Sequence, residues 1–324
     1  LNGNTCTEET NAVRVYVINF NPGTIGVDQT ICEGSVPATF TGTAPSGDGV
    51  FTYSWESSLD SITWVPIGGA TSSTYTSAAL VVDTWFRRTV ISTLNTQSCS
   101  EMTPPVKVTV NNFDPQSIAA DQWICENGTP AAFTSTTPTG DGTFTYQWQS
   151  SLDGATFSNI TGATSETYAA GALMADSWYR RQVTSTLNGK TCTEITPSIK
   201  VTVNNLTAGS IGTAQAICEG DIPTPFTSVT PTFDGAVSYV WQSSLDGTTF
   251  APVAGATNET YSPPALLADT WYKRVVTSTL PGVICSKESN IIRITVNNFV
   301  PGSISADQTI CEGDTPAAPG SVTA

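Results

Sequence analysis

Eight cysteines stand at positions 6, 32, 99, 125, 192, 218, 285 and 311, with spacings that alternate between 26 and 67 residues along the chain. Their sum, 93, is the period of every other prominent feature. Trp55, Trp148 and Trp241 obey it, as do Trp85, Trp178 and Trp271, and Phe20, Phe113, Leu206 and Phe299. Periods of about 20–50 residues mark solenoid units that cannot bury a core alone. A unit of 93 residues has the size of an independent small domain. The chain therefore reads as an array of domains in frames 19–111, 112–204 and 205–297. Residues 1–18 match the C-terminal part of a truncated copy, and 298–324 the N-terminal part of a further one. The sequence thus reads as a window on a longer array.

Within the second copy, Ser117–Ile124 is a short β-prone run ending at Cys125, and Ala131–Thr136 is expected as a second strand. In Thr143–Ser150, Phe144, Tyr146 and Trp148 alternate with polar residues, the period-two mark of a half-buried strand. Asp153-Gly154 signals a hairpin into Phe157–Ile160. Trp178–Thr186 is a long sixth strand and Ile199–Val203 the last. No helical periodicity extends beyond a turn. Seven or so short strands in about 90 residues, with a Trp on the third, predict an all-β immunoglobulin-like sandwich. Core packing is then the role of Trp55, Trp148 and Trp241.

The chain carries 27 acidic and 12 basic residues and no histidine, a formal charge of −15. That balance excludes the basic face nucleic-acid binding needs. It also opposes docking on anionic lipid and keeps a long protein soluble. No apolar run approaches the roughly 18 residues of a membrane helix. Zinc sites use close Cys pairs, and the nearest pair here is 26 apart. Structural disulfides in an oxidising, extracellular compartment are the better reading.

Two pairings are open. Cys32–Cys99, Cys125–Cys192 and Cys218–Cys285 would each close a 67-residue step within a repeat, stabilising it by about 4 kcal/mol in the chain-entropy model. In such a sandwich, however, the first turn and the loop before the last strand, where Cys192 is expected, lie at opposite ends. Strands of about 7–10 residues hold those ends roughly 25–35 Å apart, whereas a disulfide needs Cα atoms within about 7 Å. In a head-to-tail array the bottom of one domain meets the top of the next. The preferred pairing is therefore Cys32–Cys192 and Cys125–Cys285, each stapling neighbouring repeats.

Ile31-Cys32-Glu33-Gly34, the Tyr146-x-Trp148 pair, the aromatic–Arg strand and a late Cys192 before an alternating Val strand form one set. It resembles the immunoglobulin-like repeats of large cell-surface proteins of Bacteroidota, including gliding-motility-associated adhesins exported by type IX secretion. The resemblance implies an extracellular, repeat-built protein with a binding or structural task. Asp60-Ser61-Ile62 also resembles the short O-glycosylation motif of Bacteroidota, which makes Ser61 a glycosylation candidate.

Chemistry has little to work with. Hydrolytic triads need a base, usually histidine. Asp60, Asp153 and Asp246 sit in hairpins, and Asp48, Asp141 and Asp234 in loops, beside Gly or Ser, where Asp bonds its own backbone. No loop gathers the carboxylates of a dedicated calcium site, which leaves only weak calcium binding at domain junctions. The pairs Arg87-Arg88, Arg180-Arg181 and Lys273-Arg274 are expected to lie over aromatic rings or to pair with the corner Asp83, Asp176 and Asp269. Trp85, Trp178 and Trp271 are expected to cover an edge, with sugar stacking as the rival use. The expectation is a non-catalytic stalk or filament body of a surface adhesin, without catalytic, cofactor or metal residues. Its partners would be further copies of the repeat, through lateral self-association, and surface glycans. The alternative is a carbohydrate-binding or spacer module of a larger secreted enzyme.

Overall fold

A computed structural model describes residue 3 and residues 5–304, 307–318 and 320–322. Parts of segments 1–18 and 298–324 thus lie outside the described residues. The three full copies each form an immunoglobulin-like sandwich whose regular part is one six-stranded sheet. In the second repeat its members are the lead strand Gln122–Cys125, the Trp strand Thr143–Ser151 and a two-residue strand Ser158–Asn159. The long strand Ser177–Leu187, the flap strand Lys190–Ile195 and the closing strand Ile199–Asn204 complete it. The sheet runs lead, closing, long, Trp, short, with the flap paired to the far half of the long strand. Lead and closing strands are parallel, Cys125 opposite Asn204; the other pairs are antiparallel.

β-branched residues alternate along the closing strand, where Val201 and Val203 point inward and Lys200 and Thr202 stay half-exposed. The core centres on Trp148, fully buried against Phe133, Tyr168 and Tyr179 at ring-centroid separations of 5.9, 5.7 and, for Phe133 to Tyr179, 4.7 Å. Its indole Nε1 donates to the Ser165 carbonyl at 3.0 Å, so burial leaves no orphaned donor. Trp55 and Trp241 repeat the arrangement through Ser72 and Asn258. Truncating any of the three would cost about 3–5 kcal/mol.

Two expectations are corrected. Ala131–Thr136 is not a continuous strand: Phe133 bridges Tyr168 and Ser135 bridges Ile118 as isolated pairs. Pro130 and Pro138 flank the run and lack the N–H a ladder needs. Cys192 lies not in a loop but on the flap strand, opposite Ser185. The long strand turns back there at Asn188 and Gly189, both with positive φ (48° and 78°). Asn-Gly with that geometry is the turn that matches strand twist.

Candidate functional site at the junctions between repeats

Register brings four residues together wherever one repeat meets the next. At the tail of repeat 1, Cys32 on the lead strand is opposite Asn111 on the closing strand. At the head of repeat 2, Ser185 on the long strand is opposite Cys192 on the flap. The two pairs meet face to face. Cys32 is disulfide-bonded to Cys192 with Cα atoms 5.5 Å apart. Asn111, 1% exposed, donates from Nδ2 to the Ser185 carbonyl at 3.3 Å. The Ser185 hydroxyl lies 2.9 Å from Asn111 Oδ1 and 2.6 Å from the Asp141 carbonyl oxygen.

The second junction repeats the set. Cys125 is bonded to Cys285 at a Cα separation of 5.6 Å. Asn204 Nδ2 donates to the Ser278 carbonyl at 3.0 Å, and the Ser278 hydroxyl donates to Asn204 Oδ1 at 2.7 Å. Leu206, Ala208, Val276 and Cys285 of repeat 3 pack with Cys125 of repeat 2 in one apolar cluster. No linker intervenes: the closing strand ends at Asn111, and Phe113 opens the next repeat's first ladder. The within-repeat pairs Cys32–Cys99, Cys125–Cys192 and Cys218–Cys285 do not form; Cys6, Cys99, Cys218 and Cys311 are free. A buried Asn capping an apolar strand, and a Ser inside the long strand, were missed in the sequence. Their 93-residue recurrence at Asn111, Asn204 and Asn297, and at Ser92, Ser185 and Ser278, was the available signal.

The rims differ. At the second junction Lys287 Nζ pairs with Glu126 at 2.6 Å, and Trp123 faces the flap turn, where a Cβ on Gly282 would lie 3.9 Å from its ring. At the first junction Asn188 Nδ2 donates to Thr30 Oγ1 at 3.3 Å beside an open cleft of about 480 Å³ that Thr109 and Lys190 also line.

The remaining singled-out residues belong to the body of each repeat, with Asp141 and Arg274 also touching a junction through the Ser185 hydroxyl and the Ala208 carbonyl. Arg88, Arg181 and Arg274 are buried, 3, 0 and 0% exposed, over Tyr53, Tyr146 and Tyr239. Arg181 donates to the carbonyls of Glu166 and Pro115, each at 3.0 Å, and desolvation lowers the guanidinium pKa. Arg87, Arg180 and Lys273 cover Trp64, Phe157 and Phe250. The corner aspartates pair not with these but with the closing strand: Asp83 with Lys107, Asp176 with Lys200, Asp269 with Arg293. The period-two alternation puts Arg88, Arg181 and Arg274 into the core and their neighbours on the opposite face, where Arg87 meets Glu56, Arg180 meets Gln149 and Lys273 meets Glu288, so neither member reaches the corner. Lys107, Lys200 and Arg293 also lie over Trp85, Trp178 and Trp271, at 4.8–5.0 Å.

Asp153 Oδ1 accepts from the amides of Thr156 and Ala155 at 2.7 and 2.8 Å. These donors, led by Thr156, hold its carboxyl well below the usual carboxylate range, and Asp60 and Asp246 behave alike. A depressed folded pKa contributes stability above the unfolded value of about 3.9 and loses it as pH falls further. Ser61 is exposed in the equivalent turn at φ 62°, where the other repeats have Gly154 and Gly247. Among the described residues no group of three or more Cys, Asp or Glu could hold a metal ion.

Among solved structures, three N-terminal domains of the bacteriophage RB49 highly immunogenic outer capsid protein (Hoc) align with 86% of this chain and 98% of that one. Identity there is 13% and the TM-score 0.41. Extracellular domains 3–5 of Drosophila OTK align over 86% and 97%, at 13% identity and a TM-score of 0.34. No curated protein matches the chain in sequence. Residues 21–112, 114–205 and 207–298 each match one family, described as a domain of unknown function (DUF8696). The chain belongs to that family, as three tandem copies of its domain.

Proposed function

We propose that the chain is a stiff, non-catalytic extracellular array, the stalk of a large surface adhesin or the body of a filament. The observation that carries this reading is the junction, where a disulfide, a buried Asn–Ser pair and a linker of no length meet. A flexible tether would instead use Gly/Ser-rich linkers that behave as random coil. Disulfides between domains also fit an oxidising compartment. The charge of −15 fits a long soluble polymer. The finer part of the proposal, a Bacteroidota adhesin linked to gliding and type IX secretion, rests on the motif resemblance. Mass analysis of the native protein tests the exposed Ser61 as a glycan acceptor. Sugar stacking has less support, because cations cover Trp85, Trp178 and Trp271.

Small-angle scattering and electron microscopy of the oxidised chain test the proposal. A straight rod advancing roughly 35–45 Å per repeat is expected, from long strands of about eleven residues at 3.4 Å each. It should bend on reduction. Thin, beaded, flexible strands from the oxidised protein would overturn the reading. Peptide mapping should recover Cys32 with Cys192 and Cys125 with Cys285.

A further inference from the structure

The Trp strand of repeat 2 is covered along its whole length on one side, but only over its tail half on the other. Thr143–Ser151 pairs throughout with the long strand, whereas the short strand reaches only Gln149 and Ser150. The Trp148 amide and carbonyl also bond outward, to Ala163 and Ile160. Main-chain groups of alternate residues in a strand point the same way, so those of Tyr146 and Phe144 point outward too. Among the described residues no strand lies along them and no turn bonds to them. The head halves of the Trp strands in repeats 1 and 3, residues 50–54 and 236–240, are open in the same way. Repeat 2 has a neighbour joined at each end and its edge is still open, so flanking repeats do not cover it.

Exposed edges are ordinarily guarded by charged side chains, Pro or a bulge. Residues 143–147 read Thr-Phe-Thr-Tyr-Gln and carry no charge or Pro, and their register with the long strand runs unbroken. On the solvent face beside them, Thr143, Thr186 and Thr191 form one row across the sheet, and Thr145, Thr184 and Thr193 the next. An uncharged face thus flanks an open edge on a chain of charge −15. We infer that this half-strand pairs antiparallel with the same half-strand of a second copy of the chain, across a two-fold axis at Thr145. Phe144 then exchanges both main-chain bonds with Tyr146 of the second copy, and Tyr146 with its Phe144. The occupant is a strand because an unpaired main-chain edge takes one. It is the same strand because the outward groups of Phe144 and Tyr146 are self-complementary about Thr145. The uncharged face is also where two acidic chains meet with least repulsion.

Lateral pairing goes beyond the stiff array, and one set of measurements separates the two. The protein is the 324-residue chain with Cys6→Ser, Cys99→Ser, Cys218→Ser and Cys311→Ser, which removes the free thiols. Sedimentation should show a concentration-dependent dimer that tightens as salt screens the net charge. Thr145→Lys sets like charges opposite each other and should weaken the dimer about fivefold, although it lowers the net negative charge. Thr145 faces its copy as a pair without mutual main-chain bonds, which brings Cα atoms to about 4.5 Å, within disulfide reach. In a glutathione buffer Thr145→Cys should therefore cross-link: two thiols and one glutathione disulfide give the bond and two glutathione thiols. Thr143→Cys should not, because position 143 faces Gln147 of the second copy. A monomer at every concentration and salt overturns the inference, as does a dimer unchanged by Thr145→Lys or equal cross-linking from the two Cys variants. A straight rod that stays monomeric overturns it while leaving the proposed function standing. A flexible, beaded chain that still cross-links through position 145 does the reverse.

Discussion

Between repeats 1 and 2, the contacts around the disulfide are neutral hydrogen bonds, Asn188 to Thr30 and Asn111 Nδ2 to the Lys190 carbonyl, beside an open cleft. Between repeats 2 and 3, the surroundings of the disulfide hold an ion pair, Lys287 with Glu126, and an aromatic wall, Trp123. The sulfur and amide centres are alike in both, with Cα separations of 5.5 and 5.6 Å across the disulfides. The centre therefore fixes how repeats meet, and the rim sets how firmly a bend is resisted once the centre is weakened. The largest expected effect follows from cutting the centre. Closing a loop of 160 residues constrains the unfolded chain by about 5 kcal/mol. Cys32→Ser should lower the unfolding temperature and turn the first junction into a hinge in small-angle scattering. Cys125→Ser should lower stability similarly but bend less, because its rim remains. Equal bending in the two variants would break the comparison.

Next in size is the buried amide. Asn111→Ala and Asn204→Ala each remove bonds to a buried Ser and its carbonyl. A buried polar group left unpaired costs about 1–3 kcal/mol. The two losses should agree closely in denaturant titrations, since the centres match. A large gap between them would move part of the difference from rim to centre.

Much of this was legible in the residues, and the reason is physical. The 93-residue period, the inward Trp at 55, 148 and 241, and the alternating Trp strand all report burial, which leaves a period in sequence. The opposite-end argument for the cysteines needed only strand length. What stayed hidden depended on partners from another repeat. Asn111 reads as a polar strand end until Ser185 is placed against it. The flap was announced by Asn188-Gly189, but the third repeat uses Pro281-Gly282 and the first Asn95-Thr96, which diluted the signal. Thr96 holds φ 70° there, where a β-branched residue is strained. The basic pairs were placed correctly over aromatic rings, yet their partners at the corner were not, because Lys107 and Lys200 come from a strand distant in sequence.

Exchange of the rims comes third. Trp123 is 39% exposed, so part of its ring is covered against the flap turn. Trp123→Thr should cost about 1–2 kcal/mol from lost apolar burial and leave the second junction resembling the first. Thr30→Trp should fill the cleft beside Asn188 and gain stability in the same denaturant titration. Loss from both substitutions would mean the cleft is shaped by more than the size of residue 30.

The smallest effect concerns charge. Position 287 holds Lys and position 126 Glu at the second junction, and their counterparts at the first are Glu194 and Glu33, two acids. Glu194→Lys should build the missing ion pair, and Lys287→Glu should remove the existing one. Lys287 is 46% and Glu126 29% exposed in their side chains, so each change should move stability by about 0.5 kcal/mol. Both shifts should shrink as ionic strength rises to 1 M, where the screening length is about 3 Å. In the Cys32→Ser background, Glu194→Lys should also narrow the spread of inter-repeat angles, because there the rim alone resists bending. A spread unchanged at low salt would show that charge at the rim tunes affinity without tuning stiffness, leaving Trp123 as the source of the second junction's firmness.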